Sequence, residues 1–344
     1  MKTSLSRPGG KVIVTGGAGF IGSHTVVELI AAGYEPVIVD DLRNSEERVL
    51  DGLERILGRK PTFHRIDCTD EQAMRTVLHA EGGVHGVIHF AAYKAVGESV
   101  EKPLMYYRNN VGSLAVLLSL MQEFAVPHLV FSSSCTVYGQ PASLPVAEGA
   151  PDRNASSPYG YTKVVCEQLV RDQCAADPSL KAVLLRYFNP IGAHASGHIG
   201  ELPRGVPSNL VPFVTQTAAG LRDKLRINGN DYSTPDGTCV RDYIHVVDLA
   251  RAHVRAIAWL EARTNPTCEV FNLGTGKGNS VLEVINTFAE VNGVKVPHEI
   301  GPRRAGDVEA VFADTTKSRE VLGWTCEHDL RDALRDAWNW QRQL

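Results

Sequence analysis

The sequence predicts an α/β protein: a doubly wound parallel sheet followed by a smaller C-terminal α/β lobe. Short β-branched apolar runs alternate with longer helical patterns through the first half, the arrangement of strands joined by crossover helices. After about Phe188 the alternation breaks into Gly/Pro-rich stretches with shorter elements, which places the second lobe there. With 344 residues, 43% of them hydrophobic, the chain can bury a large core, enough for one big domain or two ordinary ones.

The elements follow in order. Lys11–Thr15 reads as a buried strand and Ile21–Ala32 as an amphipathic helix stopped at Gly33. Pro36–Asp40, Val84–Phe90, His128–Ser132 and Ala182–Arg186 read as further strands, with helical patterns between them, notably Leu104–Phe124 and Tyr159–Ala176. Val270–Leu273 is another short strand. Residues 1–10 are expected to form a disordered arm, 11–187 the sheet domain and 188–344 the second lobe. A return of part of 240–275 to the main sheet stays open.

Composition excludes several classes. Lys and Arg number 35 against 39 Asp and Glu, a net charge of −4, and no segment clusters basic residues as binding to nucleic acid requires. No run of about 18 apolar residues offers a membrane span, and Met1–Gly10 lacks the apolar stretch of a secretory signal. A cytoplasmic chain without nucleic-acid or membrane partners is expected. The seven cysteines are scattered and include no C-x-x-C pair, so neither a disulfide framework nor a zinc site is expected, and no metal is assigned. The sequon Asn154-Ala155-Ser156 reads as chance in such a chain.

The strongest local signal is Thr15-Gly16-Gly17-Ala18-Gly19-Phe20-Ile21-Gly22, set between a predicted strand and a predicted helix, with Asp40 ending the next strand. Glycines 17, 19 and 22 fit G-x-G-x-x-G; glycines 16, 19 and 22 fit the G-x-x-G-x-x-G variant. Such glycines allow a tight turn, close approach of backbone to a diphosphate, and close packing of helix on strand. The bland alternative is a Gly-rich turn without a ligand, but strand, helix and acidic residue in this order favour a dinucleotide. Asp40, followed by Asp41, suits ribose hydroxyls and repels a 2′-phosphate, which favours NAD over NADP. Arg43 is the one discordant residue.

A second constellation is Ser134 with Tyr159-Gly-Tyr-Thr-Lys163. Tyr159 and Lys163, at i and i+4, share a helix face. A tyrosine titrates near ~10 and becomes a useful base at neutral pH only when a cation stabilises the phenolate. The Lys163 ammonium and an oxidised nicotinamide ring together would do that, a drop of about 3 pH units being worth about 4 kcal/mol. Ser134 falls at the carboxyl end of its strand, where doubly wound sheets bind ligands.

Together these motifs resemble the short-chain dehydrogenase/reductase superfamily in its extended form. Longer blocks resemble, within it, the UDP-glucose 4-epimerase family: His89–Ser99, Phe131–Gly139, Leu185–Gly192, Gly229–Tyr232, Asp236–His245 and Pro302–Asp307. The resemblance runs from about Lys11 to Gln341. It implies NAD as cofactor, contacted by Gly16, Gly19, Phe20, Ile21, Gly22, Asp40, Asn44, Asp67, Cys68, Phe90, Ala91, Lys94, Asn109, Ser134, Tyr159, Lys163 and Phe188. It implies a UDP-sugar substrate held by Lys94, Ser134, Tyr159, Tyr187, Asn189, Asn209, Leu210, Asn228, Arg241, Arg304, Asp307 and Val311. Arginines 241 and 304 suit a diphosphate on chemical grounds too. Three departures stand out: Cys135 after Ser134, Tyr161 inside the Tyr/Lys motif, and Asn228 where some members carry an aromatic.

The implied reaction is a reversible inversion at sugar C4. Tyr159, Ser134 and Lys163 are the catalytic residues, hydride passes to tightly bound NAD and back, and a 4-keto sugar turns over in between. The resemblance also implies a homodimer through Leu104–Phe124 and Tyr159–Ala176. Two rivals remain. A nucleotide-sugar 4,6-dehydratase would need an acidic pair where Cys135-Thr136 stands, and a non-catalytic NAD-binding regulator would not need Ser134, Tyr159 and Lys163 together. Val311 matches a position beside the sugar C2 substituent that some members fill with Tyr, so room for an N-acetyl group is expected.

Overall fold

The computed structural model describes residues 9–150, 155–304 and 307–344. Residues 1–8 of the expected arm and Asn154 of the sequon lie outside the described residues. The first half runs β1 (Lys11–Thr15), α1 (Phe20–Ala31), β2 (Glu35–Val39), α2 (Arg48–Leu57), β3 (Thr62–His64), α3 (Glu71–Glu81) and β4 (Val84–His89). There follow α4 (Val96–Glu101), α5 (Pro103–Tyr106), a π turn (Tyr107–Val111), α6 (Gly112–Glu123), β5 (His128–Ser134), a 3-10 turn (Cys135–Tyr138), α7 (Pro158–Ala176) and β6 (Lys181–Tyr187). The remainder comprises β7 (Asn189–Ile191), α8 (Leu210–Ala218), β8 (Leu225–Asn228), β9 (Val240–Arg241), β10 (Tyr243–His245), α9 (Val246–Glu261) and β11 (Cys268–Leu273). It ends with β12 (Asn279–Ser280), α10 (Val281–Asn292), β13 (His298–Gly301), β14 (Ala310–Val311), a second π turn (Ser318–Leu322) and α11 (Leu330–Gln341).

Seven strands form one parallel sheet in the order β11-β6-β5-β4-β1-β2-β3. The doubly wound prediction therefore holds. Both faces are covered, which is why the strands read as unbroken apolar runs rather than alternating ones. Val12, Val14, Ile38, Ile88 and Val130 pack on α1 and α9. Ile13, Val37, Val87, Leu129 and Phe131 pack on the layer that includes α3, α6 and α7. The second lobe has its own core, in which Val211 and Val214 of α8 meet Ile285 and Phe288 of α10 and Leu334 of α11. Among the described residues, no helix is long and apolar enough to cross a membrane.

Three points bear on the sequence reading. β3 is a strand that periodicity misses, because Thr-Phe-His is too short to display a pattern; it pairs with Val37–Val39 at the sheet edge. The helix expected over Leu104–Phe124 forms, but passes through a π turn at Tyr107–Val111 with helical backbone on both sides. β11 pairs in parallel with β6 along Cys268–Leu273 and forms the other edge of the main sheet.

Candidate active site

The loop after β1 does what its glycines allow. Gly16 takes a left-handed φ of +69°, and a Cβ there would stand 2.8 Å from the Ala91 nitrogen. A Cβ on Gly22 would stand 2.2 Å from the Gly16 carbonyl oxygen, so α1 can sit against the loop only with glycine. Gly19 is different: an added Cβ would meet only the Gly16 oxygen, at 3.1 Å. Its outer face is open, and α1 starts there without a side-chain cap or an acidic residue in its first turn. Free N–H groups at a positive helix end, approached across an open glycine, suit a diphosphate. Phe20 and Ile21 open that helix, and Phe90 and Ala91 abut the loop, with the Phe90 N–H donating to the Thr15 carbonyl at 3.0 Å.

Asp40 lies 8% exposed just past β2. Its carboxylate accepts from Ala18 N at 3.1 Å, Leu42 N at 2.9 Å and the Ser45 hydroxyl at 2.9 Å. Burial raises its pKa, and these three donors partly offset the rise. A carboxylate has about four acceptor positions, so one stays open. Arg43, the discordant residue, is held by others: it donates to Asp67 Oδ2 at 2.6 Å and to the Tyr93 hydroxyl at 2.6 Å, and lies 2.9 Å from Asp41. Two carboxylates neutralise it, which removes it as a 2′-phosphate ligand. Asp67 is thereby turned to Arg43, Cys68 is buried in the sheet core, and Asn44 is exposed on the same loop as Arg43.

At the carboxyl end of β5, Ser134 caps the 3-10 turn. Its hydroxyl oxygen accepts from Thr136 N at 3.2 Å and from the Thr136 hydroxyl at 3.0 Å, so its own hydrogen is free to be donated. Tyr159, in the first turn of α7, is half-buried beside Ser134. Burial pushes the Tyr159 phenol up to about 12, with the nearby Ser134 hydroxyl acting in the opposite direction. Lys163 is 3% exposed, and burial pulls its ammonium down to about 8. Its Nζ donates to the Ser132 carbonyl at 2.7 Å and sits 4.9 Å from the Phe131 ring centre, not on the Tyr159 hydroxyl. In the chain by itself the phenol is therefore raised rather than lowered, and the lowering anticipated from sequence needs a further cation beside it.

The second lobe gathers the other candidates. Arg304 donates to Asp307 Oδ1 through Nε at 3.2 Å and Nη2 at 2.5 Å, and Arg241 Nη2 lies 3.8 Å from the same oxygen. Val311 pairs with Arg241 in β14–β9 and is 7% exposed in a cluster with Phe188, Val137 and Tyr138. Tyr187 is hydrogen-bonded to the Ser132 hydroxyl, and Asn189 N donates to the Asp242 carbonyl at 3.0 Å. Asn209 and Leu210 stand at the start of α8, and Asn228 ends β8. Lys94 and Asn209 meet on Glu201, at 3.2 and 2.6 Å. Of the departures, Tyr161 points outward at 45% exposure, and Cys135 packs against the Val311 cluster.

Residues not anticipated from sequence hold this arrangement. Asn110, 2% exposed at the π turn, takes Tyr93 N at 2.9 Å on its oxygen and donates to the Tyr93 carbonyl and the Thr162 hydroxyl, each at 3.0 Å. It ties the loop after β4 to α7, while Asn109 beside it donates to the Asn110 oxygen at 3.0 Å. Thr136 was legible in principle, since a hydroxyl two residues after a serine is a common local partner. A surface concavity of about 540 Å³ beside Trp259, Arg263 and Cys268 lies at the amino end of β11, the wrong edge of a parallel sheet for a ligand site.

The chain matches the NAD dependent epimerase/dehydratase family over residues 12–274. It is 50% identical over 331 residues to a UDP-glucose 4-epimerase of Dictyostelium discoideum, covering 96% of this chain and 95% of that one. The crystal structure of a Stenotrophomonas maltophila UDP-glucose-4-epimerase with bound NAD and formylated UDP-arabinopyranose superposes with a TM-score of 0.94 at 49% identity, covering 97% of this chain and 98% of that one. The Bifidobacterium longum UDP-glucose 4-epimerase in complex with NAD+ and UDP gives 0.92 at 47% identity, over 97% of this chain and 98% of that one. On its sequence, its sheet and its Gly-rich loop, the chain belongs to the NAD dependent epimerase/dehydratase family.

Proposed function

We propose that this chain inverts C4 of a UDP-hexose, using NAD held on the Gly-rich loop, with Ser134, Tyr159 and Lys163 as its proton machinery. The observation that carries the reading is the proximity of Tyr159 to Ser134 at the carboxyl end of β5, in a chain that also carries the open Gly19 face and Asp40. When bound, NAD supplies a reversible hydride acceptor for C4 and a positive ring charge near the phenol.

Each residue then has a task. Tyr159 as phenolate takes the 4-hydroxyl proton while the C4 hydride departs, leaving a 4-keto sugar, and returns that proton once the sugar presents its other face. Ser134 donates its free hydrogen toward the same oxygen. Lys163 keeps a buried cation one helical turn from Tyr159, which favours the phenolate. Arg241 and Arg304 hold the diphosphate, and Asp307, Asn209, Leu210, Asn228 and Asn189 line the remaining contacts. Firm hold on the nucleotide and loose hold on the hexose let the sugar turn without leaving. Elimination is disfavoured because the residue after Ser134 is Cys135, whose thiol is pushed up to about 12 by burial, so no acidic pair follows the serine.

The test is turnover of UDP-galactose by purified protein without added NAD; absence of UDP-glucose among the products, with NAD present on the protein, refutes the reading. On the same basis Val311 leaves room for a C2 N-acetyl group. UDP-N-acetylgalactosamine should react in wild type and lose about 5–150-fold in Val311→Tyr, the cost of overfilling a tight wall; equal rates in both proteins refute it. An exposed apolar stripe on α4, α5 and α7, with Val100 63%, Leu104 69% and Tyr161 45% exposed, supports a homodimer, and sedimentation at the mass of one chain would exclude it. Seven unpaired thiols suit a reducing compartment, and the cytoplasm is where cell fractionation should find the protein.

A further inference from the structure

We propose that Arg204 is a positioning residue for the cofactor: reaching from the second lobe, it latches the loop after β2 and closes the adenosine end of the NAD site. Its guanidinium spans three main-chain carbonyls. Nη1 donates to Arg43 O at 2.8 Å, and Nη2 donates to Leu42 O at 3.0 Å and Ser45 O at 2.6 Å. The same turn is gripped from its other side by Asp40, which accepts from Leu42 N and the Ser45 hydroxyl. Leu42 holds a φ of +60°, a left-handed conformation that a leucine adopts only when its surroundings impose it. A planar fork of five donors spreads over carbonyls several ångströms apart, whereas an ammonium offers three donors from a single nitrogen.

The strap that carries Arg204 is itself anchored. Trp340 Nε1 donates to Glu201 O at 2.9 Å, and the Glu201 carboxylate takes Lys94 and Asn209. Gly205, at φ +73°, turns the chain directly after Arg204. The strap thus runs from the adenosine loop to the start of α8, and NAD leaves past the Leu42–Ser45 turn only when Arg204 lets go. This inference rests on the reading of Asp40 as the ribose-binding carboxylate.

The test uses holoenzyme. Wild type, Arg204→Ala, Arg204→Lys and Lys224→Ala are loaded with NAD and diluted into nucleotide-free buffer. Retained NAD is then quantified over time by chromatography, with thermal midpoints measured in parallel. Lys224 is an exposed residue of the same lobe that pairs, among the described residues, with Glu299 only. Arg204→Ala should release NAD about tenfold faster, the scale of one charge-assisted hydrogen bond lost from a part-exposed site. Its thermal midpoint with excess NAD should stay near wild type. Arg204→Lys should recover only part of the retention, and Lys224→Ala should match wild type. A release rate for Arg204→Ala within twofold of wild type overturns the latch, as does an equal acceleration in Lys224→Ala. Wild type that retains no NAD at all fails the cofactor reading itself, before any variant is compared.

Discussion

At the cofactor end, Gly16 and Gly22 are sealed against backbone within 2.8 Å of an added Cβ, and the loop hangs from an interior strand of a sheet covered on both faces. At the substrate end, Asn228, Arg241 and Val311 come from strands of two to four residues, and Lys94, Arg304 and Asp307 from loops. Their charges satisfy one another there: Arg241 and Arg304 converge on Asp307, and Lys94 and Asn209 on Glu201. One end is preorganised by packing; the other must trade internal partners for those of a ligand. That trade subtracts from net affinity, which fits a site that releases product while keeping its cofactor.

Acid should break the comparison most strongly, because the histidines buried as neutral groups lie in the cofactor half. His24 and His89 are held down at about 3, and His253 at about 4, all chiefly by burial. The unfolded chain protonates them below about 6.5 while the folded chain does not. Stability is therefore complete above that pH and falls as pH drops toward 3, by about 1.4 kcal/mol per histidine per pH unit. Denaturant titrations at pH 7, 6 and 5 check this, and a flat profile would contradict it.

Next in size is the buried pair behind the catalytic helix. Arg186, 1% exposed, donates to Glu167 through Nε at 2.7 Å and Nη2 at 2.6 Å, and the Ser133 hydroxyl donates to the same carboxylate at 2.6 Å. Arg186→Ala leaves that carboxylate buried without its main partner and should cost about 3–5 kcal/mol in denaturant unfolding. A loss under about 1 kcal/mol would mean that water takes the place of the guanidinium. Tyr159→Phe should then lower turnover by about 10²-fold while NAD stays bound, and near-normal turnover would take Tyr159 out of the mechanism.

The smallest effects sharpen the contrast. Arg241, 17% exposed at its side chain, should matter more than Arg304 at 63%. Arg241→Ala should raise the UDP-sugar KM about tenfold and Arg304→Ala only a few-fold, since exposure screens a charge. Neither should alter NAD release, and a faster release in either variant would show that the two ends are not separately built.

Sequence by itself determined the features whose parts are neighbours in the chain. The Gly16–Gly22 loop is seven contiguous residues, Tyr159 and Lys163 are one helical turn apart, and strands buried on both faces announce themselves as apolar runs such as Val12-Ile13-Val14. The substrate-side residues were legible only through resemblance, since nothing local marks Arg241, Arg304 and Asp307 as meeting at one point. Tertiary structure alone decided β3, three residues made a strand by the edge they pair with, and the return of β11 to β6. It also decided that Asn110 ties the loop after β4 to α7, that Lys163 faces Ser132 O rather than the phenol, and that Arg204 reaches back about 160 residues to Leu42–Ser45. Local spacing fixes what shares a turn of helix or a loop; contacts between distant segments depend on how layers pack, and no period in the sequence records that.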